Sequence, residues 1–361
     1  MTGEHRIVVL GAGYAGLSAA GRLARRARGA QITVVDARPQ FVERVRLHQL
    51  AAGQSIPRRD LRELLERRKV RFVRGRAVAL DPGPKRITLA DGAVIDYDVL
   101  VYALGSAADV DSVAGVRHHA HTVATPEDVA RWDPAPGRVA VVGAGSTGIE
   151  TATELAESRP DLAVALVSSE EPGAWLSDRA RRHIRATLDR LGVEVRSGAK
   201  VVEVLPDGLR LADGTRFDAE TVLWTTGFEV PALAAEAGLA VDGRGRLLVD
   251  ETLRTSDPAV YAAGDAAAIA GPGGRALRLA CATPRAPGAH AAASVLALLR
   301  GAEPTPLRFR YYIQCISLGR RDGVIQFVRP DDTVTDRVLT GRPAAWVKEL
   351  IVRGAAHSAA H

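Results

Sequence analysis

The sequence predicts an α/β protein made of two similar strand–turn–helix units and a short C-terminal segment. First, the apolar run 7–10 leads through a glycine-rich turn into alanine-rich helical sequence. Second, the same arrangement returns at residues 138–150. Third, each unit carries the pattern G-x-G-x-x-G, formed by Gly11, Gly13 and Gly16 in the first unit and by Gly143, Gly145 and Gly148 in the second. Two copies of one supersecondary pattern indicate a duplicated fold.

Each glycine of this pattern has a physical task in the first unit. Gly11 permits the tight turn between strand and helix, Gly13 lets the backbone approach a pyrophosphate, and Gly16 lets the helix pack closely on the strand. The free N–H groups and the dipole at the helix N-terminus then favour an anion. The chain is therefore predicted to contain two Rossmann-like dinucleotide-binding domains.

The residue that ends the second strand distinguishes the two units. Asp36 lies 25 residues after Gly11, where a carboxylate can bind a ribose hydroxyl. The equivalent position of the second unit is Ser168. Positive charge for a 2′-phosphate lies further along, at Arg179, Arg181 and Arg182. The choice between NADH and NADPH therefore stays open.

Two later strands end in small residues suited to the edge of a ligand site. The strand 97–104 ends at Gly105, and residues 90–105 match residues 212–227. A further strand ends at Gly264 and Asp265, where a carboxylate can accept hydrogen bonds from ligand hydroxyls. The segment 38–50 interrupts the strand–helix alternation at a proline, and we expect it to pass near the ligand.

Composition excludes several classes of protein. Apolar residues make up 47% of the 361 residues and charged residues 25%, which is globular. We expect a cytoplasmic protein, since no leader peptide or membrane-spanning run is visible.

The net charge of +6 comes from arginines at helical spacing, so nucleic acid is not an expected partner. We expect Cys281 and Cys315 to be buried thiols, and the histidines His118, His119 and His121 lack the neighbours of a metal site.

Together these motifs resemble the pyridine nucleotide-disulfide oxidoreductase superfamily, with its glutathione-reductase-like FAD/NAD(P) fold. The absence of a C-x-x-C pair makes the chain more similar to type II NADH dehydrogenases. Residues 317–326 resemble the C-terminal signature of apoptosis-inducing-factor-like quinone reductases, the ferroptosis-suppressor group. The resemblance implies FAD on Gly11, Gly13, Gly16, Asp36, Gly105, Gly264 and Asp265, NAD(P)H on Gly143, Gly145 and Gly148, and Glu150 as a catalytic residue near the flavin.

The resemblance also implies the domain organisation and the activity. We expect an FAD-binding domain in two parts, 1–108 and 240–308, around an NAD(P)H-binding domain, 109–239. The segment 309–361 is expected on the acceptor side or at an interface. The implied enzyme is an FAD-dependent NAD(P)H oxidoreductase that delivers electrons to a quinone-like acceptor. The alternatives are a reductase for a biosynthetic intermediate or an electron-carrier protein, and a nucleotide-sensing flavoprotein.

Two features bear on the partners. Residues 282–287 read Ala-Thr-Pro-Arg-Ala-Pro, where type II dehydrogenases have A-Q-x-x-x-Q. An apolar stripe follows near the C-terminus, formed by Trp346, Val347, Leu350 and Ile351. Such a stripe either packs in the core or contacts lipid at the inner face of the membrane. A homodimer is a further expectation.

Overall fold

The computed structural model describes residues 5–278 and 285–360. The first unit and its attached hairpins contain the strands β1 (His5–Leu10), β2 (Ala30–Asp36), β3 (Gln40–Phe41), β4 (Arg59–Asp60), β5 (Arg71–Arg74), β6 (Ala77–Asp81), β7 (Arg86–Leu89), β8 (Val94–Asp96) and β9 (Val99–Tyr102). Its helices are α1 (Tyr14–Arg26), α2 (Leu47–Ala51) and α3 (Leu61–Glu66), with a 3₁₀ turn at Arg44–Arg46.

The second unit follows directly. Its strands are β10 (Ala107–Ala108), β11 (Ala120–Thr122), β12 (Gly137–Val142), β13 (Leu162–Val167), β14 (Glu194–Arg196), β15 (Val201–Leu205), β16 (Gly208–Leu211), β17 (Arg216–Asp218), β18 (Thr221–Trp224) and β19 (Phe228–Glu229). Its helices are α4 (Val116–His119), α5 (Pro126–Ala130), α6 (Ser146–Ser158) and α7 (Asp178–Arg190).

The remaining chain returns to the first unit and then forms a separate sheet. It contains α8 (Leu233–Glu236), β20 (Leu247–Leu248), β21 (Val260–Ala262), β22 (Ala267–Ala268), a 3₁₀ turn at Pro272–Gly274, α9 (Arg285–Leu298), β23 (Ile313–Ser317), β24 (Gly323–Val328), β25 (Val334–Thr340) and α10 (Arg342–Ala360).

Each unit is built on a five-stranded parallel sheet. The order is β21-β9-β1-β2-β5 in the first unit and β11-β18-β12-β13-β14 in the second. The inner strands contain buried runs rich in valine and leucine, as expected of parallel strands covered on both faces. The α/β prediction is confirmed. Strand β21 joins the first sheet beside β9, and the domain boundaries stay a prediction.

A three-stranded antiparallel sheet is attached to each unit. Strands β6, β7 and β8 form the first of these sheets and β15, β16 and β17 the second. Asp91-Gly92 and Asp213-Gly214 turn the chain at equivalent places, and the two glycines have φ angles of 85° and 86°. Positive φ is the reason for glycine at this turn position. The repeat therefore extends through the hairpins.

The C-terminal segment lies between the two units. Its antiparallel sheet β23-β24-β25 places Ile316, Leu318 and Val324 in the core of the second unit. The alanines of α10, Ala355 among them, pack into the core of the first unit. Among the described residues, no helix has the length and apolar character needed to cross a bilayer.

Candidate active site between the two units

A cavity of about 1010 Å³ lies where the two units and the C-terminal segment meet. Both glycine turns open onto it, through Gly13 and Gly145. The segment 38–48 lines the cavity as expected, and the strand β23 with helix α10 closes the opposite side. Its polar lining includes Asp36, Arg38, Arg44, His48, Ser106, Glu150, Asp265, Arg278, Gln314 and Lys348.

The two glycine turns have the same geometry. Gly11 and Gly143 adopt φ angles of 104° and 106°, a region that L side chains rarely enter. A Cβ at Gly16 would overlap the carbonyl oxygen of Gly11, so this glycine allows close helix packing. The second unit repeats this contact between Gly148 and the carbonyl oxygen of Gly143.

The residues that cap the two helices leave the turns open. Gly13 and Gly145 are the N-cap residues of α1 and α6, and neither helix receives a side-chain cap. A Cβ at either position would meet no atom within 4 Å. The free N–H groups of each helix N-terminus therefore face open space at the cavity, as an anion site requires.

Two carboxylates stand at the edge of the first sheet. Asp36 accepts hydrogen bonds from the backbone N–H groups of Ala12 (2.7 Å) and Arg38 (2.8 Å), and it lines the cavity. Asp265 accepts hydrogen bonds from the Ser106 hydroxyl (2.8 Å) and the Arg44 guanidinium (3.5 Å). Gly105 and Gly264 line the cavity beside these side chains.

The equivalent strand end of the second unit carries no carboxylate. Ser168 follows β13, and its hydroxyl accepts a hydrogen bond from the N–H of Glu170 (3.2 Å). The arginines at 179, 181 and 182 lie on α7 and do not line the cavity. One of them, Arg181, pairs with Asp178 on the same helix.

Glu150 lies on α6, directly after the second glycine turn, and is nearly buried at 9% exposure. It accepts a hydrogen bond from the backbone N–H of Ser317 (3.1 Å) and forms an ion pair with the ammonium group of Lys348 on α10. Burial and the positive charge of Arg46 lower the pKa of Lys348 to about 7, while Glu349 opposes the shift. The cavity thus holds a buried, charge-compensated pair that contacts both units.

His48 on α2 is a second buried titratable residue that lines the cavity. Its Nε2 lies 3.4 Å from the Ser317 hydroxyl, and its Nδ1 lies 3.9 Å from a carboxylate oxygen of Glu150. Burial, together with the cations Lys348, Arg320 and Arg46, holds the pKa of His48 well below its usual value. The imidazole is therefore neutral at physiological pH.

An ionic network fastens α10 to the first unit. Arg46 pairs with Glu43 (2.9 Å) and with Glu349 of α10 (2.8 Å). Although burial alone would raise it, the pKa of Glu349 falls to about 2 because Arg46 and Arg353 hydrogen-bond the carboxylate. Glu43 and Arg46 are both buried, and buried charges need such compensation.

A chain of polar contacts forms the wall opposite the glycine turns. The Trp175 indole N–H donates to the side-chain oxygen of Gln314 (2.9 Å), whose amide donates to Asp332 (3.1 Å). Asp332 pairs with Arg278 (2.7 Å), and this guanidinium lies 4.9 Å from the ring centre of Tyr311. The wall therefore combines residues of the second unit, the first unit and the C-terminal sheet.

The sequence signature at 317–326 begins beside Glu150 at Ser317 and continues toward the second unit. Asp322 faces α7, where it contacts His183 (2.7 Å) and Arg190 (3.0 Å). Arg320 contacts Glu349 (3.3 Å). Neither Arg320 nor Asp322 lines the cavity, and the position of the segment 309–361 on the acceptor side stays a prediction. The hairpin turns these side chains toward the second unit.

Further expectations concern the two cysteines, the segment 282–287 and metal ligands. Cys315 is partly exposed and lines the cavity, which corrects the expectation of a buried thiol. Cys281 and residues 282–284 lie outside the described residues. Across residues 5–278 and 285–360, no group of three or more histidine, cysteine or acidic side chains could hold a metal ion.

The apolar stripe of α10 is divided between surface and cavity. Trp346 and Leu350 are 66% and 48% exposed. Ile351 lines the cavity, and Val347 is half-buried. The alternatives of core packing and surface contact therefore apply to different residues of the same helix.

Sequence reasoning missed His48, Lys348 and Trp175 as cavity residues. The position of His48 could be predicted in part, because it lies in the segment expected near the ligand. Lys348 gave none, since an isolated lysine in a helical stretch usually faces solvent.

Two dinucleotide folds that open onto one cavity define a class of oxidoreductases that bind two dinucleotides face to face. A model of the pyridine nucleotide-disulphide oxidoreductase family matches residues 5–293. An NADH dehydrogenase-like protein of Mycobacterium tuberculosis is 33% identical over 88% of this chain and 87% of its own. The chain belongs to the pyridine nucleotide-disulphide oxidoreductase family, which confirms the resemblance and the expected cofactors, FAD and NAD(P)H.

Two further comparisons agree with this assignment. A type II NADH:quinone oxidoreductase of Staphylococcus saprophyticus is 28% identical over 96% of this chain and 94% of its own. The solved structure of NDH2 from Plasmodium falciparum in complex with NADH superposes with a TM-score of 0.82, at 13% identity and over 96% of this chain and 94% of that one. At this identity the structural likeness shows the fold alone.

Proposed function

We propose that the protein is an FAD-dependent NAD(P)H oxidoreductase that delivers electrons to a quinone-like acceptor. The observation that carries the proposal is that both glycine turns, through Gly13 and Gly145, open onto the same cavity. Two dinucleotides held by these turns would share this one cavity. The names of the type II NADH:quinone oxidoreductase relatives support quinone as the acceptor class.

The first unit has the groups that FAD requires. Its pyrophosphate would face the open helix N-terminus at Gly13, a ribose hydroxyl would bind Asp36, and the ribityl chain would bind Asp265. FAD, when bound, takes a hydride from NAD(P)H and passes two electrons to the acceptor. The protein's own contribution is to orient the two dinucleotides and to keep bulk water from the site.

Glu150 and Lys348 are the charged groups that we assign to the reacting region. The pair lies where α6, β23 and α10 meet and lines the cavity. The two opposite charges compensate each other in this buried place, while burial lowers the pKa of Lys348 to about 7. A carboxylate and an ammonium group at this place orient a polar carbonyl or ring nitrogen by hydrogen bonds.

A steady-state assay tests the acceptor. The purified protein should be yellow and should oxidise NADH with a soluble quinone, faster than with an acidic ferredoxin. The ferredoxin arm is included because the net charge of +6 would attract an acidic electron carrier. Faster turnover with ferredoxin would assign a carrier-protein reductase, and binding of NADH with no turnover of any acceptor would assign a nucleotide sensor.

We also propose that α10 makes the peripheral membrane contact. Trp346 and Leu350 are exposed one helical turn apart, and Ile351 beside them lines the cavity. Trp346→Ser/Leu350→Ser should lose co-sedimentation with anionic vesicles, whereas Phe327→Ser, at a 43% exposed site in β24, should retain it. Equal binding by both variants would refute the contact. The homodimer stays a prediction for sedimentation analysis.

A further inference from the structure

The proposed reaction consumes a proton, and Glu150, the carboxylate assigned to the reacting region, is nearly buried. NAD(P)H, a quinone and one proton give NAD(P)⁺ and the quinol, so each turnover takes one proton from solvent. Glu150 is the carboxylate that we assign to the reacting region, and its oxygens lie near Ser317, Lys348 and His48. Proton supply to this site therefore depends on the neighbouring side chains.

His48 lies between two carboxylates of α6. Its Nδ1 is 3.9 Å from Glu150 Oε2, and its Nε2 is 4.0 Å from Glu154 Oε2. The Ser317 hydroxyl, 3.4 Å from Nε2, can donate to this nitrogen, which leaves the ring proton on Nδ1 toward Glu150. Glu150 and Glu154 lie one helical turn apart, so one imidazole ring spans the two carboxylates.

Glu154 is placed to receive a proton from the surface. Its side chain is fully buried, and among the described residues Oε2 has no hydrogen-bond donor. Its other oxygen accepts from Gln54, a partly exposed residue, and Arg320 lies 3.8 Å from Oε2. Burial raises the pKa of Glu154, although Arg320 and Gln54 oppose the shift. A buried oxygen without a donor is costly when ionised, and protonation removes that cost.

We propose that His48 carries protons from Glu154 to Glu150 and so supplies the cavity during transfer to the acceptor. The O–H bond of protonated Glu154 breaks as an N–H bond forms at Nε2. The Nδ1–H bond breaks as an O–H bond forms on Glu150. One proton has then moved inward and the imidazole is again neutral, with its proton now on Nε2. Between turnovers Nε2 gives this proton to solvent and Nδ1 takes one from solvent, which restores the starting tautomer.

The geometry requires small movements for this route. Both nitrogen–oxygen distances exceed hydrogen-bond length, so each transfer requires a side-chain shift of about 1 Å. The charged groups facing His48 are Glu150 and Glu154 of α6, Lys348 of α10, Arg320 after β23 and Arg46 before α2. His48 acts through Glu150 and is a positioning residue. The inference rests on the proposed function.

Stopped-flow kinetics of the FAD-loaded protein test the route with two acceptors. His48→Gln should slow reoxidation of the flavin by a soluble quinone by about 100-fold, the usual scale for a lost proton transfer. Reoxidation by ferricyanide, which takes an electron and no proton, should be unchanged, as should reduction by NADH. His290→Gln, at a half-buried histidine outside the cavity, is the matched control.

Glu154→Gln tests the same route with the imidazole in place. It also provides a test if His48→Gln does not fold. It should slow the quinone step as much as His48→Gln, and the double variant should be no slower than either, since the two residues act in series. Equal slowing with quinone and ferricyanide would overturn the route, because it would mean a general structural effect. Quinone rates within twofold of wild type would overturn it as well.

A measurement without any acceptor separates this inference from the proposed function. The ¹⁵N spectrum of the imidazole should show His48 neutral from pH 6 to 8, with its proton on Nδ1. A charged ring or an Nε2–H tautomer would overturn the route. Wild-type protein that ferricyanide reoxidises but quinone does not would instead refute quinone as the acceptor, whatever the spectrum shows.

Discussion

The two dinucleotide units have the same backbone fold and differ in the position of their carboxylate. At the strand end the first unit has Asp36 and the second has Ser168. On the helix after the glycine turn, the first unit has Ser18 and the second has Glu150. The glycines thus determine the turn, and the placement of the carboxylate distinguishes what each unit does with its ligand.

Helix α10 contacts the two units through neighbouring residues. Lys348 pairs with Glu150 of the second unit, and Glu349 pairs with Arg46 of the first. The first of these pairs is the more deeply buried, since the side-chain exposures are 8% and 12% against 8% and 23%. The predictions below test whether the units differ as their carboxylates indicate.

The largest effect is expected at the buried pair of the second unit. Lys348→Met leaves Glu150 buried without its cation and should lower the free energy of unfolding by about 3–5 kcal/mol. Adding Glu150→Gln should recover part of this loss, because the uncompensated charge is gone. Urea unfolding of the three variants measures both effects, and an equally unstable double variant would show that the loss comes from packing.

The strand-end carboxylate should matter only in the first unit. Asp36→Ala should weaken FAD binding by about 1.5–3 kcal/mol, the scale for a hydrogen bond to a charged group. Ser168→Ala, at the equivalent position, should leave FAD binding unchanged. Equilibrium dialysis of FAD against both variants makes the comparison, and equal losses would remove the distinction between the units.

Ser168 should leave the choice of nicotinamide cofactor weak. A carboxylate there would repel a 2′-phosphate and serine does not, so kcat/KM for NADH and NADPH should differ by less than about 100-fold, or about 2.7 kcal/mol. Ser168→Asp should shift the ratio toward NADH. A wild-type preference above a thousandfold would place the selectivity in other residues, such as Glu170.

The smallest expected effect is the pH dependence of the stabilisation that the Arg46–Glu349 pair provides. The folded-state pKa of Glu349, about 2, lies below the usual value of 4.5, so its stabilisation is complete above pH 4.5 and is lost as the pH falls toward 2. Because the carboxylate is partly solvated, Glu349→Gln should remove only about 1–2 kcal/mol at pH 6. Glu303→Gln, at an exposed site, should show no such loss.

The sequence predicted what local backbone geometry requires. The two glycine turns, the hairpins at Gly92 and Gly214 and the strand end at Asp36 follow from short-range spacing, and the structure brings Gly13, Asp36 and Asp265 to one cavity. Their assigned roles, like the boundaries of the domains, stay predictions. Short-range patterns of this kind survive in any chain that must make the same turn.

Tertiary packing accounts for what the sequence did not predict. Lys348 meets Glu150 across 198 residues, and His48 meets Ser317 across 269. Nothing in the spacing of these residues indicates the pairing. The contacts of Arg320 and Asp322 could not be predicted for the same reason, since a motif does not state which neighbour a hairpin faces.

The adjacent residues Lys348 and Glu349 have a consequence for the order of events in turnover. Neighbouring residues of α10 pair with both units, so a hinge opening between the units would have to break two ion pairs, one of them nearly buried. Loading and release of the nicotinamide cofactor must therefore proceed past side chains at the rim, such as Trp175, while the units stay in place. Side-chain rotations of this kind take nanoseconds, whereas domain movements take microseconds to milliseconds. We therefore expect chemistry or proton supply, and not domain opening, to limit the turnover rate.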